Sequence, residues 1–304
     1  MATANVRTDT SGEPRFIRKL WLRRVGRSTS YLVLTALAVF FLLPLYWMAT
    51  GSFKLQRSTV SLPPEFIPSN PTLANWLQLF TGPWPTWRWL FNSLVVSLLT
   101  VVLVLMVSSL TGYGFAKKRF PGSRVLFFIL LSTMFLPNQV MLIPLFLLAR
   151  GLHLTDSVPG TYLAMAMPMI SSPFGIFLIK QFASTIPDEL MDAAKIDGAS
   201  EWQMFSRVAL PLLAPALAAL AIFTFSLAWN YFMWHLLVAT DKYMYTVPVG
   251  VSYLALTAAT GGKEVLNIGL MMAGGTFGAF FMIAFFLAFQ QSFVRGITFG
   301  ALKG

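Results

Sequence analysis

The sequence contains no cysteine and only two histidines, and just 11% of its 304 residues are charged. Without cysteine there is no disulfide framework, no thiolate zinc site and no thiol nucleophile. Charged residues make up about 25% of an ordinary soluble domain, so this chain is too poor in charge to cover a water-facing surface of its size. Glycine (21) and proline (18) show no repetitive bias, which removes collagen-like and low-complexity architectures. A mean hydropathy of +0.69 removes intrinsic disorder, because disordered chains combine low hydrophobicity with high net charge. What remains is an integral membrane protein, and 56% of its residues are hydrophobic.

A hydrocarbon core of about 30 Å needs about 20 apolar residues in a helix. Six stretches free of Asp, Glu, Lys and Arg are long enough: 28–53, 89–116, 125–149, 157–179, 208–240 and 265–294. Within or close to them, spans are expected over 31–50, 91–115, 126–148, 160–181, 210–233 and 268–290, with Lys180 at the edge of the fourth counted in the following loop. Residues 66–87 carry Pro68, Pro71, Pro83 and Pro85, too many for a spanning helix, and are expected to be an extramembrane loop. Residues 243–262, diluted by Thr and Gly, read as a short interfacial or lumen-side helix. The expected fold is all-α, with six transmembrane helices: a basic tail over 1–30, a membrane domain over 31–290 and a C-terminal tail over 291–304.

The net charge of +11 is distributed as a topology signal, not as a nucleic-acid footprint. Sixteen of the 22 basic residues fall in the N-terminal tail, the second and fourth loops and the C-terminus. Basic loops stay on the cytoplasmic side, so both termini are expected there, in agreement with an even number of spans. The first apolar run starts too late and is too long for a cleavable signal.

The span interiors hold no charged residue, which weakens an ion-coupled secondary carrier, the alternative function, because such carriers use buried ionisable groups. Uncharged polar and helix-breaking residues cluster instead. Asn138 and Gln139 lie between Pro137 and Pro144, Ser171 and Ser172 between Pro168 and Pro173, and Asn230 follows Trp229. Irregular backbone inside a membrane must be buried in protein or line a cavity. Aromatic rings beside amides suit sugars, so Asn138, Gln139, Ser171, Ser172, Trp229 and Asn230 are candidate substrate-pathway residues. The same residue types also bind helix to helix or form interfacial belts.

Five of the eleven acidic residues fall within fourteen positions of the fourth loop: Asp188, Glu189, Asp192, Asp197 and Glu201. A positive-inside loop has no topological need for them. Thr185 with Asp188 reads as a capping pair, with Pro187 in the first turn of a helix over about 187–196. Gly198 supplies a left-handed stop. Ser200 with Gln203 forms a capping box that opens a second helix running towards Pro211. The expected unit is a helix–Gly–helix hairpin with a small face at Ala193 and Ala194 and an apolar edge of Leu190, Met191 and Ile196.

The run DELMDAAKIDGASEWQMFSRVALPLLAP resembles the "EAA" loop of ATP-binding-cassette importer permeases through Asp192, Ala193, Ala194, Asp197, Gly198, Ala199 and Pro211. Asp192 stands where that family usually has Glu. PTLANW, FNSLVVS, LPNQVMLIPLFLL, the run Trp229, Asn230, Tyr231 and the ending FVRGITFGALKG resemble the second membrane subunit of the maltose-type carbohydrate importers. The resemblance implies the type I importer permease fold and a coupling loop over about 184–208. It also implies an ATPase-docking surface of Glu189, Asp192, Ala193, Ala194, Asp197 and Gly198, with the C-terminal tail (Gly296, Lys303, Gly304) reaching towards the ATPase dimer. The implied partners are a homologous permease in a heterodimer, two ATP-binding subunits, an extracytoplasmic solute-binding protein, the lipid bilayer of the bacterial inner membrane and a carbohydrate. No phosphate-binding motif G-x-x-x-x-G-K-[ST] occurs, so ATP and Mg belong to the partner subunits and this chain is not itself an enzyme. No resident metal or cofactor is expected.

Overall fold

The computed structural model describes residues 15–59, 61–257 and 267–301, with residues 15–26, 57, 255–257 and 291–301 as backbone only. Every regular element in it is helical. Three helices are long and apolar enough to cross a membrane unbroken: α1 (Arg15–Gly51), α3 (Thr86–Lys117) and α13 (Ile268–Ala301). A short helix α2 (Ala74–Thr81) lies within the expected extramembrane loop. α1 begins well inside the basic tail and α13 continues past the expected end at 290. Lys, Arg and Leu are good helix formers, and an established helix propagates through them without a new nucleation cost.

The other three expected spans are broken. The third is α4 (Ser123–Ser132), a 3₁₀ turn at Thr133–Phe135 and α5 (Asn138–Gly151), with a bend of 103° between its halves. Proline restricts the preceding residue to extended backbone, and Leu136 before Pro137 has φ −77° and ψ 125°. The fourth is α6 (Val158–Ile170) and α7 (Pro173–Ser184), bent by 57° where Ser172 precedes Pro173. The fifth joins helix α9 (Glu201–Leu212) to α10 (Ala214–Trp229) at 74°. The expected span 210–233 is therefore corrected: it turns at Leu213 and stops at Trp229, and a separate helix α11 (Met233–Val238) follows.

α3 is the central element, packed against α6, α7 and α10. Its approach to α7 depends on small residues: a Cβ on Gly112 would lie 2.8 Å from the Ile179 side chain, and one on Gly175 would lie 2.5 Å from the Ser108 hydroxyl. Close helix contact through small residues is how membrane helices associate when lipid supplies no hydrophobic drive. At its N-terminal end α3 holds the segment 242–247. Trp89 Nε1 donates to the Lys242 carbonyl at 2.8 Å, Asn92 Nδ2 donates to the carbonyls of Tyr243 and Tyr245, and the Ser93 hydroxyl accepts from Val247 N. The segment leads into α12 (Val247–Thr257), whose Val247, Val249 and Leu254 are buried. The expected short helix is present and packs against α3 and α13, while residues 258–262 of the expected stretch lie outside the described residues.

Candidate functional site

The far end of α3 meets the acidic loop. There α8 (Asp188–Ile196) and α9 form the expected hairpin. Its turn is a Schellman motif: Gly198 N donates to the Lys195 carbonyl at 3.1 Å and Ala199 N to the Ala194 carbonyl at 2.9 Å, with Gly198 at φ +79°. The Ser200–Gln203 capping box is formed in both directions. The Thr185–Asp188 cap is not. Pro187 occupies the cap position, Thr185 donates instead to the Phe182 carbonyl, and Asp188 turns to α3. A π-helical turn follows at Met204–Ala209, in which Leu210 N bonds the Phe205 carbonyl. Pro211 has no N–H to bond the Arg207 carbonyl and would crowd it in a regular helix, and the wider turn relieves that conflict.

Two consecutive lysines at the end of α3 grip both arms of the hairpin. Lys117 Nζ donates to the Ile186 carbonyl at 2.5 Å and to Asp188 at 2.6 Å, and Lys118 pairs with Glu201 on α9. The Lys117 ammonium, hydrogen-bonded to Asp188, holds that carboxyl below its usual pKa. The contact is therefore complete at neutral pH and is lost only as pH falls through that lowered value. Beneath, the Tyr113 hydroxyl donates to Met191 Sδ, and the Tyr113 ring packs on Phe205 at 5.3 Å. Tyr113, Lys117, Lys118, Asp188, Met191 and Glu201 border a polar crevice of about 260 Å³ together with Asp192 and Lys195.

The outer surface of the hairpin is not covered by any of the described residues. Glu189, Asp192, Ala193, Asp197 and Gly198 are exposed and Ala194 is half-buried. Ile196 is 87% exposed, Trp202 64% and Leu190 45%, whereas Met191, expected on the same apolar edge, is buried. Of the tail residues, Gly296 lies on the backbone of α13, and Lys303 and Gly304 lie outside the described residues.

Replacing Lys117 by methionine should leave the Ile186 carbonyl without its donor, at a cost of about 1–3 kcal/mol. The expected result is a lower thermal midpoint of the purified chain in detergent, with Lys117→Arg closer to wild type.

The intramembrane candidates do not form one site. Asn138 and Ser172 meet in a cavity of about 220 Å³ whose wall also includes Thr224, Phe223 and Tyr231. Trp229 and Asn230 instead border a separate cavity of about 290 Å³ with Met48, Gly274 and Gly278. Trp229 is buried and stacked on Phe225, and Asn230 Nδ2 donates to the Ser226 carbonyl. Gln139 and Ser171 are exposed and line neither cavity. Ser172 caps α7 by accepting from Gly175 N, so its hydroxyl is already engaged. Thr224 and Tyr231 are the residues that sequence reading passed over, although Tyr231 directly follows the Trp229–Asn230 pair.

Continuous and broken apolar helices around a central rod, with a hairpin held rigidly at one end of that rod, define a multi-pass membrane transport component. The chain belongs to the family of binding-protein-dependent transport system inner membrane components, whose model matches residues 105–298. It is 37% identical over 270 residues to an arabinooligosaccharide transport system permease protein of Bacillus subtilis, covering 88% of this chain and 92% of that one. It is 35% identical over 284 residues to a trehalose transport system permease protein of Mycobacterium tuberculosis, covering 91% and 98%. A crystal structure of a bacterial ABC transporter that imports the acidic polysaccharide alginate contains a chain of the same fold, with a TM-score of 0.74 at 20% identity, covering 88% of this chain and 96% of that one. The family is the membrane component of such importers and not their ATPase.

Proposed function

We propose that the chain forms half of the translocation pathway of an ATP-driven carbohydrate importer and that its hairpin docks on a separate ATP-binding subunit. The observation that carries the docking reading is the hairpin itself. Its tip exposes Ile196, Trp202 and several carboxylates, while its base is tied to α3 by Lys117 and Lys118. Large exposed apolar side chains next to charged ones mark a protein-binding surface when they lie beyond the apolar spans. In this reading a homologous permease completes the pathway, two ATPase subunits hold ATP and Mg, and a solute-binding protein delivers a sugar from outside. The hairpin and both termini face the cytoplasm, in keeping with the basic residues, and the tail residues Gly296, Lys303 and Gly304 lie towards the ATPase pair.

The geometry suits transmission of a stroke. α3 has 32 residues, about 48 Å of helix, and is fastened at one end to the hairpin and at the other to 242–247. A push on the hairpin is thereby delivered to the opposite end of the bundle as a rigid-body movement.

The absence of cysteine makes the test specific. With Ala193→Cys as the sole thiol, a short bifunctional reagent should join this chain to the ATPase subunit in membranes holding the assembled transporter, and the yield should change when ATP is added. Cross-linking to the ATPase from Leu62→Cys in the 61–73 segment, and none from Ala193→Cys, would overturn the docking reading.

A further inference from the structure

The cavity between the broken helices carries an inference that rests on the sugar-import reading above and deepens it. Two helices begin at its wall. α5, of 14 residues, starts at Asn138 with no side-chain cap, and α7, of 12 residues, starts after Ser172. The α7 start is capped by the Ser172 hydroxyl, but the uncapped α5 start presents unsatisfied N–H groups and partial positive charge, which favour a ligand rich in acceptor oxygens.

The second observation is Thr224. It is only 3% exposed yet lines the cavity. Several hydroxyl residues in the spans bond back to the carbonyl four residues earlier, as Thr100 does to Val96, Ser226 to Ile222 and Thr276 to Met272, whereas Ser97 and Ser108 on α3 have no partner among the described residues but line neither of the two intramembrane cavities. This local bond is the usual way to satisfy a hydroxyl within an apolar helix. Thr224 does not make it, and among the described residues nothing else bonds its hydroxyl. A buried hydroxyl without a partner is costly and points to a partner that arrives. The Asn138 amide and the Tyr231 hydroxyl in the same wall are likewise not engaged within the described chain. In the same lining, Phe223 packs against Phe174 with ring centroids 5.0 Å apart and supplies an apolar face. None of the lining residues is a cation or a carboxylate.

We propose that this cavity is a subsite for one ring of an uncharged sugar in transit, with the Thr224 and Tyr231 hydroxyls and the Asn138 amide as its hydrogen-bonding partners and Phe223 beneath its C–H face. The volume of about 220 Å³ is below the range of about 300–1,000 Å³ typical of drug-sized ligands, which fits a single ring better than an oligosaccharide. With no cation in the wall, a charged uronate ring has nothing to pair with.

The test uses the full transporter in proteoliposomes with its binding protein. Trehalose, lactose, arabinotriose and an alginate oligosaccharide serve as probes, and uptake and ATP hydrolysis are measured together. Thr224→Val, which keeps shape but removes the hydroxyl, and Tyr231→Phe should each lower sugar taken up per ATP by roughly three- to tenfold, with ATP hydrolysis still stimulated by the loaded binding protein. Thr224→Ser should restore the wild-type ratio. A wild-type ratio in both Thr224→Val and Tyr231→Phe would overturn the subsite while leaving the importer reading intact. Equal loss in Thr224→Ser and Thr224→Val would overturn it by showing a packing role. Failure of the unmodified transporter to take up any of the sugars would overturn the sugar reading itself and the subsite with it.

Discussion

Gly198→Val is expected to lower ATP hydrolysis coupled to transport about 30-fold while the chain still inserts into the membrane. Gly198 has φ +79°, and a Cβ there would meet nothing within 4 Å. The penalty is therefore in the backbone and not in a clash. A β-branched residue in the left-handed region costs about 2 kcal/mol, and that corresponds to a factor of about 30. The motif that pays it joins the two arms of the hairpin through the bonds to Lys195 and Ala194. Asn tolerates the left-handed region far better than valine, so Gly198→Asn should recover most of the activity. The measurement is ATP hydrolysis by the reconstituted complex with and without loaded binding protein. Full coupling in Gly198→Val would remove the hairpin from the transmission path.

The second large effect is expected from Ile196→Asp. Ile196 is 87% exposed, so its removal from the isolated chain leaves no cavity and no unpaired group. Thermal unfolding of the purified chain should match wild type. In the complex the same side chain would be an apolar anchor, and truncating a central anchor costs about 2 kcal/mol or more. An aspartate adds the desolvation of a new charge. Association with the ATPase subunit should weaken by more than about 30-fold, read as loss of co-purification at low protein concentration. Met191→Asp gives the opposite pattern, because Met191 is buried under Tyr113: its main effect should be on the stability of the chain. If Ile196→Asp retained the ATPase subunit as wild type does, the apolar tip would not be the contact surface.

The hairpin was legible in the sequence because its determinants are local. Gly198 and the Ser200–Gln203 pair act within a few residues of themselves and do their expected work, whereas Pro187 stands at the cap position instead of in the first turn and the Thr185–Asp188 cap does not form. That cap failed for a non-local reason: Lys117, 71 residues away in sequence, offers Asp188 a charged partner. A charge-assisted bond is stronger than a neutral one, so it outcompetes the helix's own first turn. Leu190, Met191 and Ile196 read as one apolar edge by composition, yet only Met191 is buried, because only its position faces Tyr113.

The sequence picks out intramembrane polar residues by type but does not say which of them share a cavity. Asn138, Ser172 and Thr224 come from three different broken spans and Tyr231 from the link after the last of them, and nothing in linear spacing says which of them converge. Trp229 and Asn230 border a cavity of their own, where Trp229 also stacks on Phe225 and Asn230 donates to the carbonyl of Ser226 in its own helix. Thr224 carries no motif at all; its only signal is a missing bond, which exists only in three dimensions.

By itself the sequence determined the class of protein, the apolar stretches long enough to cross, the presence of helix-breaking prolines in the third and fourth of them and the hairpin with its acidic face. These follow from hydrophobic length, from the steric demands of proline and glycine, and from charge counted along the chain. That Pro137 and Pro173 stand at the breaks while Pro144 and Pro168 lie inside helices is visible only in the structure. The tertiary structure alone decided that the two lysines at the end of α3 hold both arms of the hairpin, that residues 247–257 pack into the bundle, and which polar groups share a cavity. The reason is physical: a helix start or a turn is set by neighbours in sequence, whereas burial, pairing and an unsatisfied hydroxyl depend on which distant helices are brought within a few ångströms.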